Sequence, residues 1–360
     1  MWPRSVMVLR EDQQLGGDID DCLTAGLEAQ GCAFSSVRRG DAWPDEPHDL
    51  VLAYGPFGES HGSIPAVARQ ALTSAWPAQP ALVWWLTEGV PNPTWPLWLT
   101  RALASLRLAA DSWLGPAEAV PAWQRPLRRG HRARILGQLR AVRAGGGLTV
   151  LAVTSQMRAD YLRQHGLCPV VVPLGLHAGY GRPMHLTRDI DVLFLGNTSS
   201  PRRRKLLPPL VRELEGRGHR VVLQNAAYGE ERQRLLNRSR VLVNILRAPQ
   251  DFVGQRFLLG AANQTLVVSE TMADTAPFVP GKHLVTAPLP CLADAISHYL
   301  ADEVERCTIV DQAYAFVQTS LTAESVVGRL LDAARAARCH RSAGGHERSD
   351  ERQPGHMERS

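Results

Sequence analysis

Apolar runs of five or six residues recur along this chain, each followed by turn residues or a segment of helical spacing. They fall at residues 5–10 (SVMVLR), 49–54 (DLVLAY), 81–86 (ALVWWL), 148–153 (LTVLAV), 190–195 (IDVLFL), 241–246 (VLVNIL) and 265–269 (TLVVS). Runs this short and continuous suit strands buried on both faces. Alternating with helices, they specify parallel sheets wrapped on both sides. The pattern plays through twice. Residues 1–178 carry the first set, 179–187 (GYGRPMHLT) read as a polar linker, and 188–338 carry the second. The expected fold class is α/β, with two Rossmann-like doubly wound domains facing a cleft. A length of 360 residues suffices for two cores. Beyond Cys339 the sequence has no apolar residue except Ala343 and Met357, so 339–360 are expected to be a disordered tail.

Composition narrows the class of protein. No apolar run approaches the roughly 18 residues a membrane-spanning helix needs. The start, MWPRSVMVLRED, has no long apolar leader segment, so a cytoplasmic protein is expected. Six cysteines lie singly at Cys22, Cys32, Cys168, Cys291, Cys307 and Cys339. No paired or zinc-like spacing occurs among them. The 40 basic residues outnumber 35 acidic ones, and almost all are Arg, whose planar fork suits phosphate. Several of them (Arg125, Arg128, Arg129, Arg132, Arg134, Arg140, Arg143) surround Ile135, Leu136, Leu139 and Val142. That basic amphipathic segment, 125–143, fits either an anionic membrane surface or a solvated helix face. No aromatic stacking set accompanies it, which argues against nucleic acid.

The most informative stretch is 241–285, where two strands deliver their carboxyl ends and loops to one crevice. Its SE…D…PFVPGKHLV segment resembles the donor-binding half of GT-B glycosyltransferases of the group-1 type, in particular the branch of bacterial spore-maturation-type proteins. The resemblance spans about 148–337 and is clearest over 191–285. It implies a nucleotide-sugar-dependent transferase of the hexosyltransferase type, acting on an unidentified acceptor. It also implies a final helix, from about residue 317, that returns to the first domain. The nucleotide-diphosphate sugar would be a co-substrate, and no cofactor or metal is expected. The Asp189–Asp191 acid pair precedes a strand rather than following one, which disfavours a metal site there.

Holding a diphosphate calls for backbone N–H groups at a helix start together with Arg or Lys. The strand–GNTSS–helix turn offers Gly196, Asn197 and Ser199, with Arg203 and Lys205 on the following helix. An ordinary βα turn with a solvated basic face would look the same. A second place is Arg256, after Gly254. In the resembling family an Arg precedes a helix whose early Glu binds ribose, and here that Glu position is Leu259. Of the family's acid pair only Asp251 survives. Glu270 and Asp274 are read as further donor-side acids that meet sugar hydroxyls or orient Lys282 and His283; a solvated acidic loop is the alternative. PFVPGKHLV itself reads as scaffold, anchored by Phe278 and turned at Gly281. On the acceptor side, Glu88 in a Pro-rich loop and His61 in the GESHGS loop compete as the catalytic base.

The loss of an acid at Leu259 keeps a rival open: a catalytically silent GT-B-like protein that binds a sugar, nucleotide or protein partner. A sugar-nucleotide epimerase is a further alternative, but no GxGxxG follows the first strand.

Overall fold

The apolar runs form two separate parallel sheets. The computed structural model describes residues 2–10, 13–38, 41–55, 64–87, 89–114, 131–247 and 254–350. The first sheet contains β1 (Ser5–Leu9), β2 (Ala33–Val37), β3 (Leu50–Tyr54), β4 (Ala81–Leu86), β5 (Val150–Val153) and β6 (Val170–Val171), in the order β2-β1-β3-β4-β5-β6. The second contains β7 (Ile190–Leu195), β8 (Val221–Gln224), β9 (Ser239–Asn244), β10 (Leu266–Glu270) and β11 (Val285–Ala287), in the order β11-β10-β9-β7-β8. Pairings are parallel, with registers such as Val8↔Leu52 and Val192↔Val241. The direction of winding reverses once in each sheet, between β1 and β3 and between β7 and β9. At such a point the loops leaving neighbouring strands diverge and open a crevice at their carboxyl ends.

Both faces of each sheet are covered, which is why the strands read as unbroken apolar runs. In β4 the adjacent Trp84 and Trp85 are fully buried on opposite faces. Trp84 packs in a cluster with α2 (Ile64–Leu72), α4 (His131–Ala144) and α5 (Gln156–Gln164). Trp85 shares a cluster with Leu23 and Leu27 of α1 (Gln13–Ala29) and with Val326, Val327, Leu330, Leu331 and Ala334 of the last helix. Each indole N–H finds a buried carbonyl, Gly55 O at 3.1 Å and Val172 O at 3.0 Å. In the second domain α8 (Gly254–Ala262) covers one face and α6 (Pro201–Gly216) and α9 (Leu292–Ala301) the other. Helix α10 (Glu303–Ser320) contributes to both clusters, Ala313 and Val317 to the first and Ile309 and Val310 to the second.

Three sequence expectations change. The basic segment does not present an amphipathic surface: Ile135, Leu136, Leu139 and Val142 of α4 are buried in the first core. Helix α3 (Leu97–Leu114) packs so closely on α4 that a Cβ at Gly137 would lie 2.5 Å from the Ala104 carbonyl oxygen. The apolar face that the membrane reading would turn to lipid is therefore occupied by protein, and the exposed Arg143 fits the alternative of a solvated basic face. Residues 125–130 lie outside the described residues. Next, the final helix that the resemblance starts at about residue 317 begins later, as α11 (Ala323–Asp350), after a break that ends α10. There Leu176 N donates to Leu321 O and Ala323 N donates to Leu176 O, and the Thr322 hydroxyl accepts from Ser325 N to restart the helix. Finally, α11 runs past Cys339 to Asp350, where the sequence anticipates a disordered tail. Once its apolar face is anchored on the first sheet, each further residue adds a backbone hydrogen bond without a new nucleation cost.

Candidate functional site

The crevice at the switch point between β7 and β9 is built around two buried arginines. β7 ends at Leu195, and Gly196 then adopts φ +133, a conformation that glycine tolerates and L side chains rarely adopt. The space a side chain would need is also taken, because a Cβ on Gly196 would lie 2.4 Å from Arg256 Nη2. Arg256 comes from the first turn of α8 and is buried. Its Nε donates to Leu195 O at 3.0 Å and its Nη1 to Asn244 Oδ1 at 2.8 Å, so both strand ends hold it. Arg203, on the first turn of α6, donates from Nε to Ile245 O at 2.8 Å and from Nη1 to Asn197 O at 2.9 Å. The two guanidinium carbons lie 5.4 Å and 5.2 Å from the ring centroid of Phe194. Burial, then the charges of Arg203 and Arg247, pull the Arg256 pKa down from 12.5 to about 9. The groups holding Arg256 are thus neutral oxygens, and the charges acting on it are positive. A concentrated positive charge with one N–H edge turned to a glycine turn is suited to receive an anion.

The Gly196 turn is organised by its own side chains. Asn197 Oδ1 accepts from Ser199 N at 2.7 Å and from the Ser199 hydroxyl at 2.6 Å. Thr198 donates from both N and Oγ1 to Asn225 Oδ1. Ser200 caps α6 by accepting from Arg203 N. These bonds hold the start of α6 at the crevice, where its first amides carry partial positive charge.

Several predicted residues do other work. Lys205 is exposed on α6. It follows Arg203 by two residues, about 200° around the helix, so it cannot share the face that enters the crevice. Glu270 is a buried structural acid. Its carboxylate takes both Nη groups of Arg202, with Arg202 Nη1 to Oε1 at 2.6 Å, and also accepts from Leu246 N at 2.6 Å. Asp274 reaches the other domain, accepting from Met157 N at 2.9 Å in the first turn of α5. Neither acid orients His283, which accepts from Val279 N and stacks on Phe316 at 4.3 Å. Gly254 is buried as the first residue of α8. Asp251, Glu88 and His61 lie outside the described residues.

Sequence reasoning missed Arg202, Asn244 and Phe194 as parts of the site. Asn244 left a signal: a polar residue closing a buried strand at its carboxyl end. Also missed was the contact between domains at Asp18 of α1. Its carboxylate takes both Nη groups of Arg232 at 2.7 Å, from α7 (Gly229–Asn237), and Gln255 Nε2 at 2.5 Å. Beside α5, a cleft of about 450 Å³ is lined by Pro93, Gln156, Asp160 and Tyr161 from the first domain and Ala273 and Asp274 from the second.

Comparison with known proteins agrees with this architecture. Residues 197–332 match the family model described as "Glycosyl transferase-like". No curated protein sequence matches the chain. Among solved structures, HepE from Anabaena in complex with UDP and glucose is similar, with TM-score 0.58, 13% identity, and coverage of 92% of this chain and 100% of that one. Sucrose-phosphate synthase from Thermosynechococcus elongatus gives TM-score 0.56 and 14% identity, over 95% and 100%. TarM from S. aureus gives TM-score 0.52 and 10% identity over 87% of this chain, which spans only 57% of the TarM chain. The protein thus has the two-domain GT-B fold, and its residues 197–332 carry a glycosyl transferase-like sequence.

Proposed function

We propose that the protein is a cytoplasmic, nucleotide-sugar-dependent glycosyltransferase of the group-1 GT-B type, with the donor diphosphate held at the β7–β9 switch point. Arg256 carries this reading. Among the described residues Arg256 is held by neutral oxygens and feels the positive charges of Arg203 and Arg247, which is costly for a buried cation, and a diphosphate at the Gly196 turn would offset that cost. As the bond from the anomeric carbon to the phosphate oxygen breaks, negative charge grows on the leaving diphosphate. Arg256, Arg203 and the first amides of α6 stabilise that charge in place of a metal ion. HepE, on the same fold, binds UDP and glucose, which favours a nucleotide-sugar donor here. The cleft between α5 and Asp274 is the assigned place for the acceptor, with Glu88 or His61 as its base.

A second reading has one observation behind it. Leu259 is buried in an apolar cluster with Phe257 and Phe278, so this position offers ribose hydroxyls no carboxylate. A protein that binds a nucleotide without transferring sugar would fit that change.

Thermal unfolding against a panel of nucleoside diphosphates and their sugars tests both. A ligand at a hundredfold excess over its Kd adds about 2.7 kcal/mol of stability. The expected outcome is a shift with one base, absent in Arg256→Ala and in Gly196→Ala, where the new methyl displaces Arg256 Nη2. A shift without sugar release or transfer supports the silent reading. No shift with any nucleotide removes the donor site altogether.

A further inference from the structure

The first domain carries an apolar helix face that its own core does not use. On α3, Trp98 is 71% exposed and Leu106 65% exposed, with exposed Ala102 between them at four-residue spacing. The loop that leads into the helix adds Trp95 at 44%, and the first residue of the helix, Leu97, is 39% exposed. The opposite side of α3 is fixed by the approach of Ala104 to Gly137. The outward stripe is therefore a consequence of helix packing, not of a side chain turned out by chance.

Alongside the stripe, from its lead-in past Leu106, the charged residues of α3 are basic, and the acid of this helix, Asp111, comes more than a turn later. Residues 89–109 and 131–147 contain no Asp or Glu. Arg101 is exposed on the flank of the stripe and donates to Gln164 O at 2.6 Å. Arg101 and Arg140 both act electrostatically on buried His165, so both lie near that ring, and exposed Arg143 follows Arg140 on α4. The acid on neighbouring α5, Asp160, is paired with Arg163 at 2.7 Å. Among the described residues no helix is long and apolar enough to cross a membrane.

We propose that the outer face of α3 with its Trp95–Leu97 lead-in docks on an anionic lipid surface, the two tryptophans and Leu106 entering the headgroup boundary and Arg101 reaching lipid phosphates. Tryptophan suits that boundary because its ring is apolar while its N–H stays wet. A second copy of the chain fits less well. A stable protein interface buries about 800 Å² on each partner, over roughly 20–30 residues. The stripe here is four large side chains along one helix and its lead-in. A bilayer needs no shape complement and accepts a stripe of this width. The docking face also borders the cleft between domains, since Pro93 lines that cleft two residues before Trp95. This inference stands apart from the donor assignment, which rests on the other domain.

Co-sedimentation of the full chain with phosphatidylcholine vesicles, and with vesicles that also contain phosphatidylglycerol, tests it. The wild type should bind the anionic vesicles, and added salt should weaken that binding. Trp98→Ser should lower the partition coefficient about tenfold and Arg101→Gln about fivefold. Trp98→Ser should keep the wild-type unfolding midpoint because its side chain projects into solvent. Both variants should keep the nucleotide-induced shift, the surface bond from Arg101 to Gln164 O lying in the other domain from the donor site. No partition of the wild type onto anionic vesicles would overturn the proposal, as would equal partition of Trp98→Ser. A Trp98-dependent dimer in light scattering without vesicle binding would also overturn it and give the face to a second copy.

Discussion

Arg256 and Glu270 lie on the same crevice, yet substituting them should have opposite consequences. Burial lowers the Arg256 pKa from 12.5 to about 9, so between those values the unfolded chain holds a proton that the folded chain has lost. Stability therefore rises with pH across that window, and below it the folded protein bears the full cost of a buried charge. A bound diphosphate favours the charged form, so its affinity should be flat below about pH 8 and weaken above about pH 9. Calorimetric titration at stepped pH checks this, and the break should vanish in Arg256→Ala. That substitution removes a buried cation that has no anionic partner among the described residues, so its stability cost should be small. Glu270→Ala instead strands Arg202, whose side chain is only 21% exposed, and should cost about 3 kcal/mol in urea unfolding. Equal losses for the two variants would contradict this division of labour. The sequence pointed to Gly196, Arg203 and Arg256 because a strand–turn–helix unit fixes where its turn must open. It misassigned Glu270 because the partner lies 68 residues away, and nothing local distinguishes a paired acid from a free one.

Elements show the same limit in another form. The strands were legible because burial on both faces leaves an apolar run that few other structures produce. For helix α4 the sequence left a membrane surface and a solvated basic face both open, for a physical reason: an amphipathic pattern tells that one face is covered, not by what. Its apolar face meets α2 and the sheet, and Gly137 lets α3 approach to backbone contact. Lys205 was a different failure, because the helical phase that turns it away from Arg203 was already in the sequence. The α3–α4 packing has a direct test in Gly137→Ala. Helix propensity alone would gain about 1 kcal/mol. Against that gain, the new methyl would lie 2.5 Å from a backbone oxygen, and separating two packed helices costs about 1–3 kcal/mol. The clash concerns backbone rather than a flexible side chain, so it should win. The expected result is a lower unfolding midpoint for Gly137→Ala, with the nucleotide-induced shift unchanged.

At the scale of the whole molecule, the chain crosses between its domains twice. It leaves the first sheet after β6 and returns through α11, and the two crossings are tied by hydrogen bonds between Leu176 and both Leu321 and Ala323. The Asp18–Arg232 ion pair and the Asp274–Met157 N bond add contacts on the crevice side. The return makes the first domain depend on residues that follow the second. Val326, Val327, Leu330, Leu331 and Ala334 are fully buried against α1 and the first sheet, and Gly26 of α1 is needed where Val327 Cγ2 would lie 2.3 Å from a Cβ. Burying the four branched side chains contributes about 1.5–3 kcal/mol each, a sum comparable to the roughly 5–15 kcal/mol net stability of a domain. Ending the chain at Leu321 should therefore leave the first domain unable to fold alone, giving protein that aggregates and loses the protease resistance of residues 1–176. Ending it at Asp350 should preserve the full unfolding midpoint. If the chain ended at Leu321 kept a cooperative transition for both domains, α11 would be an appendage, and the two crossings would play no part in holding the crevice together.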